Sequence, residues 1–309
     1  MIHIACPNPA IDRILLLDIL HANSVNRPIE VREFIGGKGL NVLRGLQFEG
    51  GVEPKLHCIM DEFSALHAKS VLQNAKLIPS ICKEKIRTCQ ILIAKNGLYP
   101  IYEKGKELDA STISSFYEGL IKELETDDFL AFSGSMPLGM NVDFIAKTQQ
   151  GLKQAQKPHK LCIDSSGEAL KHAYLNCEIH FLKINDEEAR ELFANKKLCT
   201  LQDFMSYMQN TAKDNIPIFI ITLGKNGVLA RINGRFFHGS CPVEDVKSPI
   251  ACGDFFFARF LRGLALKEEL ELTLGQSLLY AAAKTQSYFP QIEPNAMKGL
   301  QKSLQITSL

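Results

Sequence analysis

Short apolar runs alternate with helix-like segments along most of the chain, and this alternation restricts the fold more than any other feature. The apolar runs predict strands at residues 2–6, 55–59, 129–133, 160–163, 180–183, 218–222 and 227–232. The helix-like segments between them include residues 141–155, 186–194 and 201–213. Because strands that alternate with helices pair side by side in one direction, the pattern predicts an α/β fold with a parallel sheet covered on both faces.

Two regions depart from this alternation. Residues 11–20 and 31–35 resemble strands with no helix between them, and residues 89–94 and 99–103 flank the pair Asn96-Gly97, which favours a hairpin. These segments predict a small extra sheet, a lid over the ligand crevice built from about residues 11–35 and 87–104. The chain is long enough for one large core, so we expect a single domain over residues 1–309, with a mostly helical segment from 254 to about 289.

Composition and charge argue against several classes of protein. The formal net charge is only +1, so neither a nucleic acid nor a membrane surface is expected as the main partner. No apolar run approaches the ~18 residues of a membrane span, and the first residues lack the features of a signal peptide. The nine cysteines include no C-x-x-C pair and the eight histidines are dispersed, which argues against a metal site and for free thiols in a cytoplasmic protein.

Two glycine-containing motifs stand where loops are predicted to enter apolar helices. They are Gly36-Gly37-Lys38-Gly39, followed by Asn41, and Ala251-Cys252-Gly253-Asp254. Small residues at a helix start expose backbone N–H groups to an anion, and the helix dipole favours negative charge there. A carboxylate beside such a site fits a base that takes a proton from a hydroxyl attacking a phosphoryl group. Taken alone, Asp254 is explained more simply as an acidic residue that stabilises a first helical turn.

The first motif is not a Walker A loop, because it lacks the G-x-x-x-x-G-K-[ST] spacing, and the chain contains no G-x-G-x-x-G fingerprint of a dinucleotide-binding fold. Other polar residues follow predicted strands, where ligands of open α/β sheets bind. They are Asp12, Asn185 with Glu188, and Thr222. Each also has a purely structural interpretation, as a solvated loop residue, a capping box and a tight turn respectively.

Together these motifs resemble the ribokinase-like, or PfkB, carbohydrate kinases, and they are most similar to the branch of 1-phosphofructokinase and tagatose-6-phosphate kinase. The resemblance runs almost end to end through eight motifs in one order: Asn8-Pro9-Ala10-Ile11-Asp12, Gly36-Gly37-Lys38-Gly39-Leu40-Asn41-Val42, Arg87-Thr88, Ser133-Gly134-Ser135-Met136-Pro137, Asp164-Ser165-Ser166-Gly167-Glu168-Ala169-Leu170, Asn185-Asp186-Glu187-Glu188, Thr222-Leu223-Gly224 and Gly253-Asp254. It implies a ribokinase-like three-layer α/β/α sandwich, with a β-sheet lid that also joins two subunits in a homodimer.

The resemblance also implies roles for individual residues. Asp254 would be the catalytic base, and the backbone of Ala251, Cys252 and Gly253 would form an anion hole for the transferring phosphoryl group. The residues implied to bind a small sugar phosphate are Asp12, Gly36, Gly37, Lys38, Asn41, Arg87, Ser135 and Arg27. Among them, Lys38 and Arg87 would hold the phosphate already on the sugar, and Arg27 would reach the substrate of a neighbouring subunit.

The same resemblance implies a nucleotide site for ATP. Its lining residues would be Lys183, Asn185, Glu188, Thr222, Gly224 and Gly227. Mg²⁺ would arrive with ATP and have no direct protein ligand, while Asn185 and Glu188 would contact it through water.

The chain also departs from the family pattern. Ala251 replaces the first glycine of Gly-Ala-Gly-Asp, at a position where φ > 0 is expected. Phe255 stands where a small or polar residue is usual, Arg259 replaces a helix glycine, and Ile184 replaces a proline. Residues 84–86 are Glu-Lys-Ile where Gly-Glu-Thr is usual.

The implied activity is ATP-dependent phosphorylation of a ketohexose monophosphate to a bisphosphate, with fructose 1-phosphate preferred and tagatose 6-phosphate or fructose 6-phosphate next. The departures around Asp254 leave a second hypothesis open, a catalytically weak or inactive regulatory protein that binds a sugar phosphate on the same fold. A nucleoside or ribose kinase fits less well, because an unphosphorylated substrate does not need the cationic pair Lys38 and Arg87.

Overall fold

The computed structural model describes residues 1–72, 75–210 and 213–309, and these contain two β-sheets and ten α-helices. The strands are β1 (Ile2–Cys6), β2 (Ala10–Leu16), β3 (Glu30–Gly36), β4 (Pro54–Asp61), β5 (Lys76–Cys82), β6 (Arg87–Ala94), β7 (Gly97–Tyr102), β8 (Phe129–Ser133), β9 (Lys160–Asp164), β10 (Phe181–Asn185), β11 (Ile218–Thr222), β12 (Val228–Ile232), β13 (Arg235–Ser240) and β14 (Gln305–Ser308). The helices are α1 (Lys38–Glu49), α2 (Glu62–Val71), α3 (Ala110–Glu123), α4 (Phe144–Gln154), α5 (Gly167–Asn176), α6 (Asp186–Leu192), α7 (Leu201–Asn210), α8 (Cys252–Ala265), α9 (Leu270–Thr285) and α10 (Ala296–Leu300).

The large sheet has ten strands among the described residues, in the order β14-β13-β12-β11-β10-β9-β8-β1-β4-β5. From β11 to β5 every neighbouring pair is parallel, as the sequence predicts. The other three strands are antiparallel, so the strand predicted at 227–232 is present as β12 but lies outside the parallel part of the sheet. Only the short 3₁₀ turn Gly224–Asn226 joins β11 to β12, and a parallel pair would need a crossover of a dozen or more residues.

Helices cover both faces of the large sheet, which confirms the three-layer α/β/α sandwich. Alternate residues of β1 point to opposite faces, because side chains alternate along a strand. Ile2, Ile4 and Cys6 pack in the layer formed by α1, α2, α8 and α9, whereas Ala5 packs in the layer formed by α3 to α7. The helices that carry the two glycine motifs, α1 and α8, therefore share one face of the sheet.

The small sheet comprises β3, β2, β6 and β7, in that order, and lies in the segments expected to form a lid. The β6–β7 hairpin confirms the turn predicted from Asn96-Gly97. One face of this sheet packs against the C-terminal part of the chain, where Ile14, Ile91 and Ile93 form a buried cluster with Phe289. The strand predicted at 11–20 ends early, at Leu16, and residues 17–29 form an irregular connection to β3.

Several predicted helices are present but shorter than the sequence pattern suggests. The helix expected at 141–155 begins at Phe144, and the one expected at 186–194 ends at Leu192. The helix expected at 201–213 ends at Asn210, and residues 211 and 212 of that prediction lie outside the described residues. The prediction of a mostly helical segment after 254 is confirmed by α8 and α9. No described helix combines the length and apolar character that crossing a bilayer requires.

Candidate active site

The carboxyl ends of five neighbouring strands, β11, β10, β9, β8 and β1, meet along one edge of the large sheet. Residues with predicted roles stand at or just after three of these ends, namely Thr222, Asn185 and Ser135, whereas Asp12 lies in β2 of the small sheet, beyond the end of β1. The register places Asn185 beside Thr222. Because ligands of open α/β sheets bind outside the carboxyl ends of the strands, this edge is the candidate site.

Helix α8 begins at this site with an unusual backbone conformation at Ala251. The residue has φ 66° and ψ −1°, in the left-handed region. The prediction of a positive φ at the replaced glycine is therefore confirmed, and an alanine adopts it at a cost of about 1–2 kcal/mol. Within the described residues, the amides of Ala251 and Gly253 have no acceptor, whereas the Cys252 amide donates to the carbonyl oxygen of Pro249 at 3.3 Å. Free amides at a helix start are suited to bind an anion.

The carboxylate of Asp254 lies in the first turn of α8 and is buried. Nδ2 of Asn41 donates a hydrogen bond to its Oδ2 at 2.9 Å. Burial, together with the negative charge of Asp164, raises the pKa of Asp254 to about 7, although Lys38, Lys183 and the Asn41 hydrogen bond oppose the shift. A group with this pKa exchanges protons near neutral pH, as a general base must.

Four further charged side chains form a cluster beside Asp254. Nζ of Lys38 lies 2.9 Å from Oδ1 of Asp164 and 3.4 Å from Oε1 of Glu188. Nζ of Lys183 contacts the same Asp164 carboxylate at 3.2 Å. Burial alone would raise the pKa of Asp164, but the two ammonium groups hold it below its usual value. For Lys38 the two carboxylates outweigh burial and raise the pKa above its usual value.

Lys38 thus contacts residues on the side of the site where the nucleotide was expected. Its side chain is 33% exposed, whereas that of Lys183 is 4% exposed, so Lys38 is the ammonium of this cluster that an incoming phosphate can reach. Its pairing with Arg87 on a sugar phosphate stays a prediction.

Asp12 and the first glycine motif fit closely together. The backbone N–H of Gly37 donates to Oδ2 of Asp12 at 3.2 Å. A Cβ at Gly36 would overlap the Asp12 carboxylate, so only glycine permits this approach. Burial raises the pKa of Asp12. Asn41, in α1, makes two protein contacts, because its Oδ1 accepts from Arg44 at 3.1 Å and its Nδ2 donates to Asp254; its predicted contact with the sugar stays a prediction.

Arg87 lies at the start of β6, beside the loop that follows β1. Its guanidinium donates to the backbone oxygens of Asn8 and Glu103, each at 3.3 Å, and its buried Nε has no acceptor among the described residues. The charged residues that line the cleft around it are Lys85, Lys106 and Glu84. Ser135 lies near the same loop, because its Oγ accepts a hydrogen bond from Asn8 Nδ2 at 3.1 Å.

On the nucleotide side, the capping box predicted at the start of α6 is confirmed. Oδ1 of Asn185 accepts from the amide of Glu188 at 2.7 Å, and Oε2 of Glu188 accepts from the amide of Asn185 at 2.8 Å. The hydroxyl of Thr222 donates to the carbonyl oxygen of Ile184 at 3.4 Å. Gly224 and Gly227 both adopt positive φ in the turn that follows, and a Cβ at Gly227 would overlap the Gly239 carbonyl.

Sequence reasoning missed two residues of this site. The sequence analysis gave Asp164 no role in the site. Its position at the end of a strand and at the start of the motif 164–170 could have identified it as a site residue. Tyr102 ends β7 opposite Cys89. Its pKa is raised to about 12 by partial burial and by Asp12, Cys89 and Asp254, although the residue is 54% exposed. The apolar sequence of β7 gave no indication that Tyr102 lies near these carboxylates.

The departures from the family pattern lie mostly away from the crevice. Phe255 packs in a buried cluster with residues of α9. Arg259 is buried and pairs with Glu268 at 2.8 Å and Glu49 at 3.5 Å. Arg27 is exposed in the connection between β2 and β3, so its predicted contact with a neighbouring subunit stays a prediction.

A larger cleft, of about 680 Å³, lies between α3 and α4, and none of the predicted site residues line it. No cluster of three or more His, Cys, Asp or Glu side chains that could hold a metal ion occurs in the described part of the chain.

Replacing Asp254 by Asn is expected to increase the free energy of unfolding by an amount that grows with pH. Its folded-state pKa of about 7 lies above the ordinary 3.8, so the native protein loses stability relative to the variant as pH rises between these values. Above about pH 7 the difference is constant, on the order of a few kcal/mol. Urea unfolding at about pH 5, 6 and 8 measures it.

The matched control is Asp109→Asn, in the exposed N-cap of α3. Hydrogen bonds from Thr112 and Ser111 hold the pKa of Asp109 at about 2, so its charge is constant over this pH range. The control should show no growth of stability with pH, and equal pH dependence of both variants would contradict the raised pKa of Asp254.

The chain is similar to known carbohydrate kinases in sequence and in fold. The model of the pfkB family of carbohydrate kinases matches residues 4–295. The chain is 26% identical over 261 residues to a tagatose-6-phosphate kinase of Staphylococcus epidermidis. The aligned region covers 83% of each of the two chains. Its fold is similar to that of Escherichia coli phosphofructokinase-2 in complex with substrates and products (TM-score 0.87, 21% identity, 97% and 98% of the two chains). It is also similar to that of a possible 1-phosphofructokinase of Thermotoga maritima (TM-score 0.85, 15% identity, 100% and 99%).

The family model matches nearly the whole chain, and the fold is similar to that of phosphofructokinase-2. The chain therefore belongs to the pfkB family of carbohydrate kinases and is a phosphotransferase with an alcohol group as acceptor.

Proposed function

We propose that the chain transfers the terminal phosphoryl group of ATP to a hydroxyl of a ketohexose monophosphate and produces a bisphosphate. The observation that carries this proposal is the buried carboxylate of Asp254 with a pKa near 7, beside free backbone amides at a helix start. Family membership supports phosphoryl transfer to a carbohydrate.

Asp254 acts as the base in this proposal. Its carboxylate takes the proton of the acceptor hydroxyl while the hydroxyl oxygen bonds to the terminal phosphorus, and the bond from that phosphorus to the bridging oxygen breaks to release ADP. The free amides of Ala251 and Gly253, and that of Cys252 if it leaves the Pro249 carbonyl, stabilise the negative charge on the transferring group, helped by the positive end of the helix dipole. Asn41 holds the carboxylate in place, so that one oxygen stays directed at the acceptor.

The sugar lies between the small sheet and the first glycine motif in this proposal. The hydroxyls of the sugar bind to Asp12, Gly36, Gly37 and Ser135, and its phosphate binds to Arg87. Arg87 is suited to that task because its buried Nε lacks an acceptor and because the cleft has three cationic residues, Arg87, Lys85 and Lys106, against one carboxylate, Glu84.

Fructose 1-phosphate is the preferred acceptor in this proposal, followed by tagatose 6-phosphate and fructose 6-phosphate. The similarity to a tagatose-6-phosphate kinase supports a phosphorylated ketohexose as the substrate class.

The nucleotide lies over the ends of β10 and β11 in this proposal, along Lys183, Thr222, Gly224 and Gly227. The residues fit a Mg²⁺ ion that is carried by the phosphates of ATP, because Oε1 of Glu188 lies outside the capping box that occupies Oε2 and contacts only the Lys38 ammonium, at 3.4 Å, among the described residues. Asn185 and Glu188 would hold waters of that ion, which would neutralise charge on the phosphates.

We also propose that the small sheet joins two copies of the chain in a homodimer. Its outer face carries a continuous cross-strand row of apolar side chains, namely Val31, Leu15, Leu92 and Tyr99. Val31 and Tyr99 are exposed at 40% and 37% in the single chain. A second copy of the same face would cover the row, and Arg27 stands in the connection next to it.

A panel of hexose monophosphates tests the substrate class. We expect ATP-dependent ADP formation with at least one ketohexose monophosphate, and a much lower kcat/KM with unphosphorylated fructose, because the cleft around Arg87 would be left without its anion. A coupled assay for ADP measures turnover. Calorimetric binding of a sugar phosphate without ADP release would instead support the regulatory protein.

Asp254→Asn is expected to lower kcat at least about a hundredfold while ATP still binds, since loss of a general base commonly has an effect of 10²–10⁴. Turnover and equilibrium binding of ATP are measured on the same preparation. Asp109→Asn again serves as the control and should turn over normally. Near-normal kcat in the Asp254 variant would remove this residue from the role of base.

Arg87→Ala is expected to raise KM for the sugar phosphate at least about tenfold and to leave KM for ATP nearly unchanged, because a charge-assisted hydrogen bond to phosphate is lost on one side only. The same two KM values of Lys38→Ala show whether Lys38 binds the sugar phosphate or the nucleotide. If KM for ATP rises more in the Lys38 variant, Lys38 belongs to the nucleotide. An unchanged sugar KM in Arg87→Ala would contradict the role of Arg87.

A further inference from the structure

Lys284, in the last turn of α9, carries an ammonium group that the mechanism above does not use. The residue is 1% exposed. Its Nζ donates to two backbone carbonyl oxygens, that of Ser287 at 3.1 Å and that of Ser248 at 3.2 Å. Within the described residues it forms no ion pair with a carboxylate. A buried cation held only by carbonyl oxygens is expensive, because its desolvation is not offset by a counter-ion.

The surroundings of Lys284 offset this penalty in part. Ser287 lies just past the C-terminus of α9, where backbone carbonyls carry the negative end of the helix dipole. Burial lowers the pKa of Lys284, and the neighbouring Cys252 and Asp254 act against that shift. Lys284 is therefore close enough to the start of α8 for its charge to interact with the carboxylate there.

The contacts of Lys284 also join two segments of the chain. The Ser248 carbonyl that accepts from Lys284 also accepts from the thiol of Cys252, at 3.8 Å. The carbonyl oxygen of Thr285 accepts from the amides of Lys247 at 2.8 Å and Ser248 at 3.1 Å. The loop that leads into Ala251 and α8 is thus fixed to the end of α9, with the ammonium at the junction.

An ammonium surrounded by carbonyl oxygens has the charge and the ligands of a potassium ion in such a setting. A cation there draws carbonyl oxygens together and adds positive potential where negative charge develops. The Lys284 ammonium differs from a potassium ion because it is covalently attached to the chain, and it is therefore present in any salt.

We propose that Lys284 is a positioning residue that serves as a built-in monovalent cation for the loop 248–253, so that this enzyme needs no potassium ion for phosphoryl transfer. The inference rests on the proposed function of that loop as an anion hole. It assigns to Lys284 no contact with the substrate: its charge and its two carbonyl contacts hold the amides in the geometry that binds the transferring group.

The test compares Lys284→Met with the native protein in potassium chloride and in tetramethylammonium chloride. The native protein should show equal kcat and equal Tm in the two salts. The variant should lose at least about tenfold in kcat in tetramethylammonium, as removal of one electrostatic contributor to an anion hole does. KM for the sugar phosphate should change much less. Potassium should then restore part of kcat and raise the Tm of the variant, because the vacated carbonyl oxygens can bind it.

Two further variants separate this role from simple loss of stability. Lys157→Met is the matched control, because the Lys157 ammonium also donates to two backbone carbonyls, those of Ile121 at 3.0 Å and Lys122 at 3.3 Å. These residues lie near the amino ends of the strands, away from Asp254, so the control should keep its kcat and show no response to potassium. Lys284→Arg retains the positive charge and should keep more activity than Lys284→Met.

Several results would overturn the proposal. They are native kcat in Lys284→Met, equal activity of that variant in the two salts, or activation of the native enzyme by potassium. The last of these needs no variant, so the proposal stays testable if Lys284→Met fails to fold. The Tm response of Lys284→Met to potassium can be measured without turnover, so it tests Lys284 even if no sugar phosphate is phosphorylated. Absence of phosphorylation would count against the proposed function alone.

Discussion

A carboxylate buried in the first turn of a helix must be held by hydrogen bonds and by neighbouring charge, and Asp254 is held in both ways. Its hydrogen bond comes from Asn41, which belongs to a different helix, α1, 213 residues away in the chain. The two helices approach closely because Gly45 of α1 lacks a side chain: a Cβ there would lie 2.6 Å from that of Ala258 in α8. The geometry of the base therefore depends on how tightly α1 and α8 pack, and the glycine at 45 matters to the chemistry although it faces no ligand.

The charges around Asp254 have opposite effects on it, and their balance sets its pKa. Asp164 makes ionisation of Asp254 harder, whereas Lys38 and Lys183 make it easier. Lys38 is also the partly exposed member of the cluster, so a bound phosphate competes with Asp164 and Glu188 for its ammonium. Moving Lys38 toward the phosphate would leave Asp164 with Lys183 alone. If Lys38 binds the nucleotide, nucleotide binding and the protonation of Asp254 are coupled through this one side chain.

Local patterns in the sequence predicted the parallel strands, the hairpin at Asn96-Gly97, the capping box at Asn185 and the positive φ at residue 251, because each depends on residues close together in the chain. Order along the chain also placed Ser135, Asn185 and Thr222 at one edge, since parallel strands end on the same side, whereas Asp12 lies in β2 of the small sheet. The ion pairs of Lys38 with Asp164 and Glu188 could not be predicted in this way, because they join residues 126 and 150 positions apart. Strand β5, which contains Pro79, and the edge strand β14 have too weak an apolar alternation to be recognised.

Ala251 and Lys284 are connected by the same physical argument. An alanine in the left-handed region is strained, and the strain persists only where the surroundings determine the backbone more strongly than the residue does. Here the loop that precedes Ala251 is fixed by the Lys284 ammonium on the Ser248 carbonyl and by the Thr285 carbonyl on two amides. Ala251 therefore adopts a backbone conformation that is usual for glycine, although it lacks the conformational freedom of glycine. The same contacts bring the positive charge of Lys284 close to the loop. The interaction that holds the strained turn therefore also favours the binding of an anion at its amides.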